Sequence, residues 1–172
     1  MSDAGHVPVI SIVGKSGVGK TTALERVIHE IKRRGYRVGT VKHDAHGFEM
    51  DKPGKDSWRH AQAGSDSVVI SGPRKMALIR KMDEEMPLDD IVALMGDVDL
   101  VITEGYKRGS KPKIEVSRLG RGKGLLCQPE ELIGVMADYP LDLPVPKFDL
   151  EDAVGIVDLL ERLYLRRMEE GE

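Results

Sequence analysis

The chain has 172 residues, of which 40% are hydrophobic and 32% charged, with a formal net charge of -3. This balance excludes a disordered chain, favours one globular domain over residues 1–172, and argues against general nucleic-acid binding, which needs an excess of Lys and Arg. A single cysteine excludes an internal disulfide, and no stretch has the length and apolarity of a membrane span, so we expect a cytoplasmic protein.

Apolar runs rich in β-branched residues alternate along the chain with segments of helical period. This order predicts an α/β fold in which a mostly parallel β-sheet is flanked by helices in three layers. Two of the strands, joined by a Gly72-Pro73 turn, can form a local hairpin. The predicted strands cover residues 7–13, 36–42, 67–71, 76–80, 99–103, 114–117 and 133–137.

Four helices are predicted around these strands. The first follows the first strand and ends at Gly35, the second covers residues 56–63 with Asp56 as its cap, and the third ends at Gly96. A closing helix is predicted to start at the cap Asp149 and to have one apolar face. That face comprises Val154, Val157, Leu160 and Tyr164.

A glycine-rich turn joins the first strand to the first helix and matches the pattern G-x-x-x-x-G-K-[S/T] in full. Glycines let successive backbone N–H groups converge on phosphate oxygens, and the helix N-terminus adds about half a positive charge. The turn is therefore predicted to bind the phosphates of a nucleoside triphosphate, and the fold to be that of a P-loop NTPase. The predicted contact residues are Gly14, Lys15, Ser16, Gly17, Val18, Gly19, Lys20, Thr21 and Thr22.

Three side chains are candidates for catalysis and metal binding at this turn. Lys20 would reach the β- and γ-phosphates, and Thr21 would place its hydroxyl on Mg²⁺, which also needs a carboxylate. Glu104 is the candidate carboxylate because it follows an apolar strand, and ligands gather at the carboxyl ends of strands in open α/β sheets. The alternative for Glu104 is a salt-bridged strand end.

The loop over residues 43–57 is predicted to leave the sheet on the same side as the phosphate-binding turn, and it resembles a switch segment. Asp44 or Asp51 could hold the metal through water or orient a nucleophile, so both are catalytic candidates. His43 and His46 either bind a metal or form hydrogen bonds and face solvent.

Several motifs, taken in order, resemble the molybdopterin-guanine dinucleotide biosynthesis protein B (MobB) family. They are the P-loop, Val41-Lys42-His43, Gly54-Lys55-Asp56-Ser57, Ala63-Gly64 and Thr103-Glu104-Gly105-Tyr106-Lys107. The resemblance implies a homodimeric protein that binds GTP and Mg²⁺, hydrolyses GTP weakly, and assists the attachment of GMP to molybdopterin. The implied partners are the molybdopterin guanylyltransferase and molybdopterin-bearing proteins, with no nucleic acid and no membrane.

Two residues, Lys15 and Asp138, each have two possible roles. Lys15 is either solvated or, as in P-loop proteins that dimerise face to face, reaches the phosphates of the partner. The sequence has no Asn-Lys-x-Asp guanine motif, so Asp138 is the candidate acceptor for the base, or else a loop acid.

A basic segment over residues 118–124 is either a cationic rim for a pterin phosphate or an acidic partner, or ordinary solvated charge. Further basic residues precede it: Lys107, Arg108, Lys111 and Lys113. Because Arg118 and Arg121 could form a lid, a P-loop kinase of a small metabolite is one alternative function. A nucleotide-dependent adapter of the metallochaperone type, without useful chemistry, is another.

Overall fold

A computed structural model describes residues 7–122 and 124–165 of the chain. These residues fall into two compact units, one drawn from Met1–His43 and Leu94–Glu172 and the other from Asp44–Ala93. The expectation of one domain over residues 1–172 stays a prediction. Within the described residues, no helix combines the length and apolarity needed to cross a membrane.

The secondary structure alternates between strands and helices. The strands are β1 (Val9–Val13), β2 (Val38–Lys42), β3 (Ser67–Gly72), β4 (Lys75–Arg80), β5 (Leu100–Glu104), β6 (Lys113–Ser117), β7 (Leu132–Ala137) and β8 (Lys147–Phe148). The helices are α1 (Lys20–Arg33), α2 (Asp56–Gln62), α3 (Leu88–Ala93) and α4 (Ala153–Leu160), and α4 continues into a π-helical turn at Glu161–Leu165. Short 3₁₀ turns occupy Leu119–Arg121 and Pro129–Glu131.

The first unit contains a six-stranded sheet in the order β2-β5-β1-β6-β7-β8, and every neighbouring pair is parallel. The second unit contains the antiparallel pair β3-β4. The predicted α/β class, with a mostly parallel sheet flanked by helices and a local hairpin, is confirmed. Because β1 is central and parallel to β5 and β6, its carboxyl end meets the carboxyl ends of both neighbours.

The main core lies between one face of the sheet and the helices α1 and α4. Alternate strand residues such as Ile10, Ile12 and Ile102 point to that face, where they meet apolar residues of α1 such as Val27 and of α4 such as Ile156. All five side chains are fully buried. Removing this area from water drives the packing of both helices and fixes the position from which α1 starts.

The opposite face of β6 is buried but polar. Lys113 is 2% exposed and donates to Gly109 O and to Glu131 Oε1, at 2.6 and 2.9 Å. Ser117 bonds the hydroxyl of Tyr139 at 2.7 Å. Since Lys113 is enclosed, its predicted place in an exposed cationic rim is wrong.

Two helix starts differ from the prediction. The closing helix is capped by Asp152, which accepts from Gly155 N at 2.8 Å, and not by Asp149. Val154, which is predicted to lie on the apolar face of this helix, is 52% exposed, whereas Val157 and Leu160 are buried. In α2, Lys55 is the N-cap residue and Asp56 lies in the first turn. The negative charge of Asp56 there stabilises the helix through its dipole and not through a capping hydrogen bond.

Candidate functional site

The glycine-rich turn lies between β1 and α1, as its position in the sequence predicts. Gly14, Gly17 and Gly19 adopt φ angles of 148°, 72° and 98°, which residues with a side chain rarely adopt. At Gly14 a Cβ atom would come within 2.3 Å of Val116 O on the neighbouring strand β6. The side chain of Val18 is buried in the main core and thereby fixes the turn to the rest of the first unit.

Lys20 folds back over the turn from the first position of α1. Its Nζ donates to Gly14 O at 3.0 Å and to Lys15 O at 2.9 Å. The ammonium group therefore spans the two carbonyls at the start of the turn and gives the loop a closed shape. This arrangement places a positive charge against a ring of backbone groups beside a helix N-terminus, a combination suited to binding phosphate.

Thr21 and Glu104 are brought together from positions 83 residues apart, since Thr21 Oγ1 donates to Glu104 Oε1 at 2.8 Å. Glu104 is the last residue of β5 and pairs in register with Ile12 of β1 and Lys42 of β2. Mg²⁺ takes oxygen ligands at about 2.1 Å in octahedral geometry, which sets neighbouring ligand oxygens about 3 Å apart. The hydroxyl and the carboxylate are therefore spaced as a pair of ligands for this ion.

The backbone changes direction directly after Glu104. Gly105 and Tyr106 both have positive φ angles, 107° and 51°, and the Tyr106 ring packs against that of His43 in a tilted arrangement with centroids 4.5 Å apart. His43 N also donates to Glu104 O at 3.0 Å. The carboxyl ends of β2 and β5 are thus tied together beside the candidate metal ligand.

The remaining residues of the predicted phosphate site surround this centre. Ser16, Thr21 and Thr22 are exposed to solvent at the start of α1. Lys15 Nζ donates to Gly122 O at 3.2 Å, so in this chain its head contacts the loop after β6. The role of Lys15 in a partner subunit stays a prediction.

The same loop lies over the glycine-rich turn. Arg118 Nε donates to Val18 O at 3.3 Å, and the Arg121 guanidinium is within 3.2 Å of where a Gly17 Cβ atom would stand. The sequence predicts these arginines as part of a rim or a lid but does not place them at the turn. Their position follows from the sheet topology, because the carboxyl end of β6 adjoins that of β1.

Asp138 follows β7 on the same side of the sheet. Its Oδ1 accepts from Leu119 N at 2.7 Å, so this carboxylate holds the start of the basic loop. Asp138 also lines an open cleft of about 610 Å³ at the carboxyl ends of β7 and β8, together with Tyr139, Lys147 and Phe148. The cleft offers a carboxylate and aromatic rings, which are groups that recognise a purine base.

Asp44 and Asp51 belong to the second unit. Asp44 Oδ1 accepts from His46 N at 3.0 Å in a local turn. Asp51 Oδ1 accepts from Lys52 N at 2.8 Å and from the hydroxyl of Ser57 at 3.1 Å, while its Oδ2 is buried and meets no hydrogen-bond donor among the described residues. Their catalytic roles stay predictions from the sequence.

The chain is similar to known proteins over most of its length. The family described as molybdopterin guanine dinucleotide synthesis protein B (MobB) matches residues 9–138. The molybdopterin-guanine dinucleotide biosynthesis adapter protein of Haemophilus influenzae is 35% identical over 158 residues, which cover 91% of this chain and 89% of the relative. The Escherichia coli protein of the same name is 34% identical over 164 residues and covers 90% and 91%.

The solved structures agree with the sequence matches. The crystal structure of a molybdopterin-guanine biosynthesis protein B (mobB) is 32% identical to this chain, superposes with a TM-score of 0.70, and covers 90% of this chain and 99% of its own. The family match takes in the glycine-rich turn, Glu104 and Asp138. The chain therefore belongs to the MobB family.

Proposed function

We propose that this protein is a GTP-binding adapter with a slow Mg²⁺-dependent GTPase activity, which assists the attachment of GMP to molybdopterin. The observation that carries the nucleotide site is the joint placement of Lys20 on the carbonyls of the glycine-rich turn and of Thr21 on Glu104. The role in cofactor assembly rests on the name shared by the relatives from Haemophilus influenzae and Escherichia coli.

The proposed reaction needs little covalent chemistry from the protein. Water adds to the γ-phosphorus, the bond from that phosphorus to the β,γ-bridging oxygen breaks, and GDP and inorganic phosphate are released. The backbone N–H groups of the turn and Lys20 would hold the phosphates, while Thr21 and Glu104 would hold Mg²⁺. The ion, when bound, would neutralise charge at the phosphate oxygens. Asp44 and Asp51 remain the groups that the sequence predicts to orient the water.

The cleft beside Asp138 is the proposed site for the base. A carboxylate accepts from both the ring N–H and the amino group of guanine, whereas adenine offers no such pair of donors. Asp138→Asn replaces one acceptor oxygen by a donor, so affinity should fall for GTP and rise for xanthosine triphosphate, whose base has a carbonyl in place of the amino group. An equal loss of affinity for both nucleotides would show that Asp138 does not contact the base and acts only through its bond to Leu119 N.

Calorimetric titration with Mg²⁺ and either GTP or ATP tests the nucleotide site directly. The parent should prefer GTP, and Lys20→Ala should weaken binding about 10- to 150-fold, since a charge-assisted contact contributes roughly 1.5–3 kcal/mol. Lys32→Ala, which removes a lysine from the other end of α1, is the matched control. Equal affinity of Lys20→Ala and the parent would exclude the turn as the phosphate site.

Single-turnover hydrolysis of GTP separates the proposed GTPase from its alternatives. The parent should release phosphate slowly with Mg²⁺, and adding the molybdopterin guanylyltransferase should change the rate or the complex formed. If GTP binds but is not hydrolysed in either condition, the protein is a nucleotide-dependent adapter and not a GTPase. Transfer of the γ-phosphate to an added small-molecule hydroxyl would instead identify a kinase.

A further inference from the structure

The loop after β6 makes three contacts with the glycine-rich turn, each through a cationic side chain. Arg121 Cζ, Nε and Nη2 lie within 3.2–3.4 Å of the Cβ position at Gly17. Arg118 bonds Val18 O and places its Nη2 3.5 Å from the Cβ position at Gly19. The third contact is the bond from Lys15 Nζ to Gly122 O. Two guanidinium groups therefore rest on the part of the turn that would receive phosphate.

Carboxylates hold this loop at both ends. At its start, Leu119 N donates to Asp138 Oδ1 at 2.7 Å. At its return, Leu126 N and Cys127 N donate to the two carboxylate oxygens of Glu115, at 2.7 and 3.0 Å, and Glu115 is only 1% exposed. A buried carboxylate fully engaged by backbone donors is a strong positional constraint, so the loop is fixed over the turn by the polar face of β6.

Positive charge exceeds negative charge at the turn, where Glu104 supplies a carboxylate beside Thr21. Within residues 7–122 and 124–165, neither Arg118 nor Arg121 forms an ion pair with a carboxylate. The ammonium of Lys20 adds a further positive charge against the same loop backbone. Like charges held together cost free energy, and a polyanion placed among them removes that cost.

From this arrangement we infer that Arg118 and Arg121 are phosphate-contacting residues, supplied by the chain itself, that clamp the polyphosphate against the glycine-rich turn. A guanidinium presents a planar fork of donors that matches two phosphate oxygens and keeps its charge at every relevant pH. The inference rests on the proposed nucleotide site and adds to it two residues far along the sequence. It also predicts that triphosphate binds more tightly than diphosphate through this loop.

The opposite reading is that Arg121 blocks the turn and must leave before nucleotide enters. The two readings predict opposite signs for the effect of Arg121→Ala. If Arg121 contacts phosphate, the variant should bind GTP on the order of tenfold more weakly, with a smaller loss for GDP and none for guanosine. If Arg121 is a block, the variant should bind GTP more tightly, which would overturn the inference.

The experiment is a titration of GTP, GDP and guanosine into the parent, Arg118→Ala, Arg121→Ala, Arg121→Lys and Lys20→Ala, at two salt concentrations. Arg162→Ala, at an exposed arginine of the closing helical segment, is the control. Both alanine variants should lose GTP affinity and show a weaker salt dependence, and Arg121→Lys should recover part of the loss. Thermal unfolding checks that the exposed substitutions leave the fold intact.

Two outcomes separate this inference from the proposed function. If Lys20→Ala loses GTP but both arginine variants bind it like the parent, the clamp is wrong and the nucleotide site stands. If the parent itself does not bind GTP, both are wrong. An equal loss for guanosine and GTP in the arginine variants would also overturn the clamp, because guanosine has no phosphate.

Discussion

The hydrogen bond between Thr21 and Glu104 joins two elements at one pair of atoms. The threonine hydroxyl donates to the carboxylate in the structure, and in the proposed Mg²⁺ site the same two oxygens would be ligands of the ion. The two residues would then still connect α1 to β5.

At this pair, the charge of Glu104 should matter more than its size. Glu104→Gln keeps the side-chain volume and an acceptor oxygen but removes the negative charge, so we expect half-saturation with Mg²⁺ to shift upward by on the order of tenfold. The measurement is a Mg²⁺ titration of GTP binding. Asp99→Asn, at the other end of the same strand region, is the control because Asp99 pairs with Arg37 there. An unchanged Mg²⁺ requirement would remove Glu104 from the metal site.

Glu30 offers a second prediction at the scale of one residue, concerning stability. Hydrogen bonds from Arg33 and Arg34 hold its pKa at about 2, below the ordinary 4.5, although burial opposes this. A carboxyl with a depressed folded pKa stabilises the protein fully above its unfolded pKa. This contribution is lost as the pH falls from about 4.5 to about 2.

The substitution Glu30→Gln should therefore lower the free energy of unfolding at pH 6 and flatten its decline between pH 4.5 and pH 2. Urea unfolding at a series of pH values measures both effects. Glu25→Gln, on an exposed position of the same helix, should leave the profile of the parent unchanged. A parallel decline for Glu30→Gln and the parent would contradict the linkage.

At the scale of elements, Arg34 connects the end of α1 to the closing helix. Its guanidinium bonds Glu30, Asp158 and Glu161 at 2.7–2.8 Å. Since α1 begins at the phosphate-binding turn and ends at this cluster, the packing of α1 against α4 fixes both ends of the helix. The helix α4 thus helps to hold the phosphate and metal site although it contributes no side chain to it.

The close approach of β6 to the turn yields a prediction for Gly14. Gly14→Ala would place a methyl group 2.3 Å from Val116 O at a φ angle of 148°, so the turn or the strand must shift. Strain of this kind costs roughly 1–3 kcal/mol, and the shift should also reduce nucleotide affinity. The measurements are urea unfolding and GTP titration. Gly120→Ala is the control, because a Cβ atom there meets nothing within 4 Å. Equal stability of both variants would show that the contact is not rigid.

Local pattern predicted the parts of the fold that depend on short stretches of chain. β1, the glycine-rich turn and α1 follow from apolar period and glycine spacing, and the position of Glu104 follows from a buried strand that ends in a charge. The helix caps did not follow, because Asp149 and Asp152 are equally acceptable caps until the packing of α4 selects one.

Contacts between distant segments could not be read from the sequence. A lysine such as Lys113 is usually exposed, and its bonds to Gly109 O and to Glu131 compensate for its burial. Arg118 and Arg121 lie on the turn because Glu115 and Asp138 fix the loop between them, a relation that no local spacing records. Long-range polar contacts therefore account for most of what the sequence left open.

For the whole molecule, the proposed homodimer needs a surface that is costly to leave in water. In the second unit, one face of the β3-β4 hairpin carries Val69, Met76 and Leu78, which are between 42% and 68% exposed. The opposite face includes Val68, which is buried. An unpaired apolar face of this kind is typical of an interaction surface, and we expect it to be covered in the dimer.

Met76→Glu should accordingly weaken the dimer, because the new charge in an apolar interface has no partner. The dissociation constant should rise on the order of tenfold or more. Light scattering after gel filtration, with GTP and Mg²⁺ present, measures the mass as protein concentration falls. Lys75→Glu is the matched control, since it changes charge on the neighbouring residue, which alternation places on the other face. If the parent protein stays monomeric with nucleotide bound, both the dimer and the role of Lys15 in a partner are contradicted. If Met76→Glu leaves the dissociation constant of the dimer unchanged, the interface lies elsewhere.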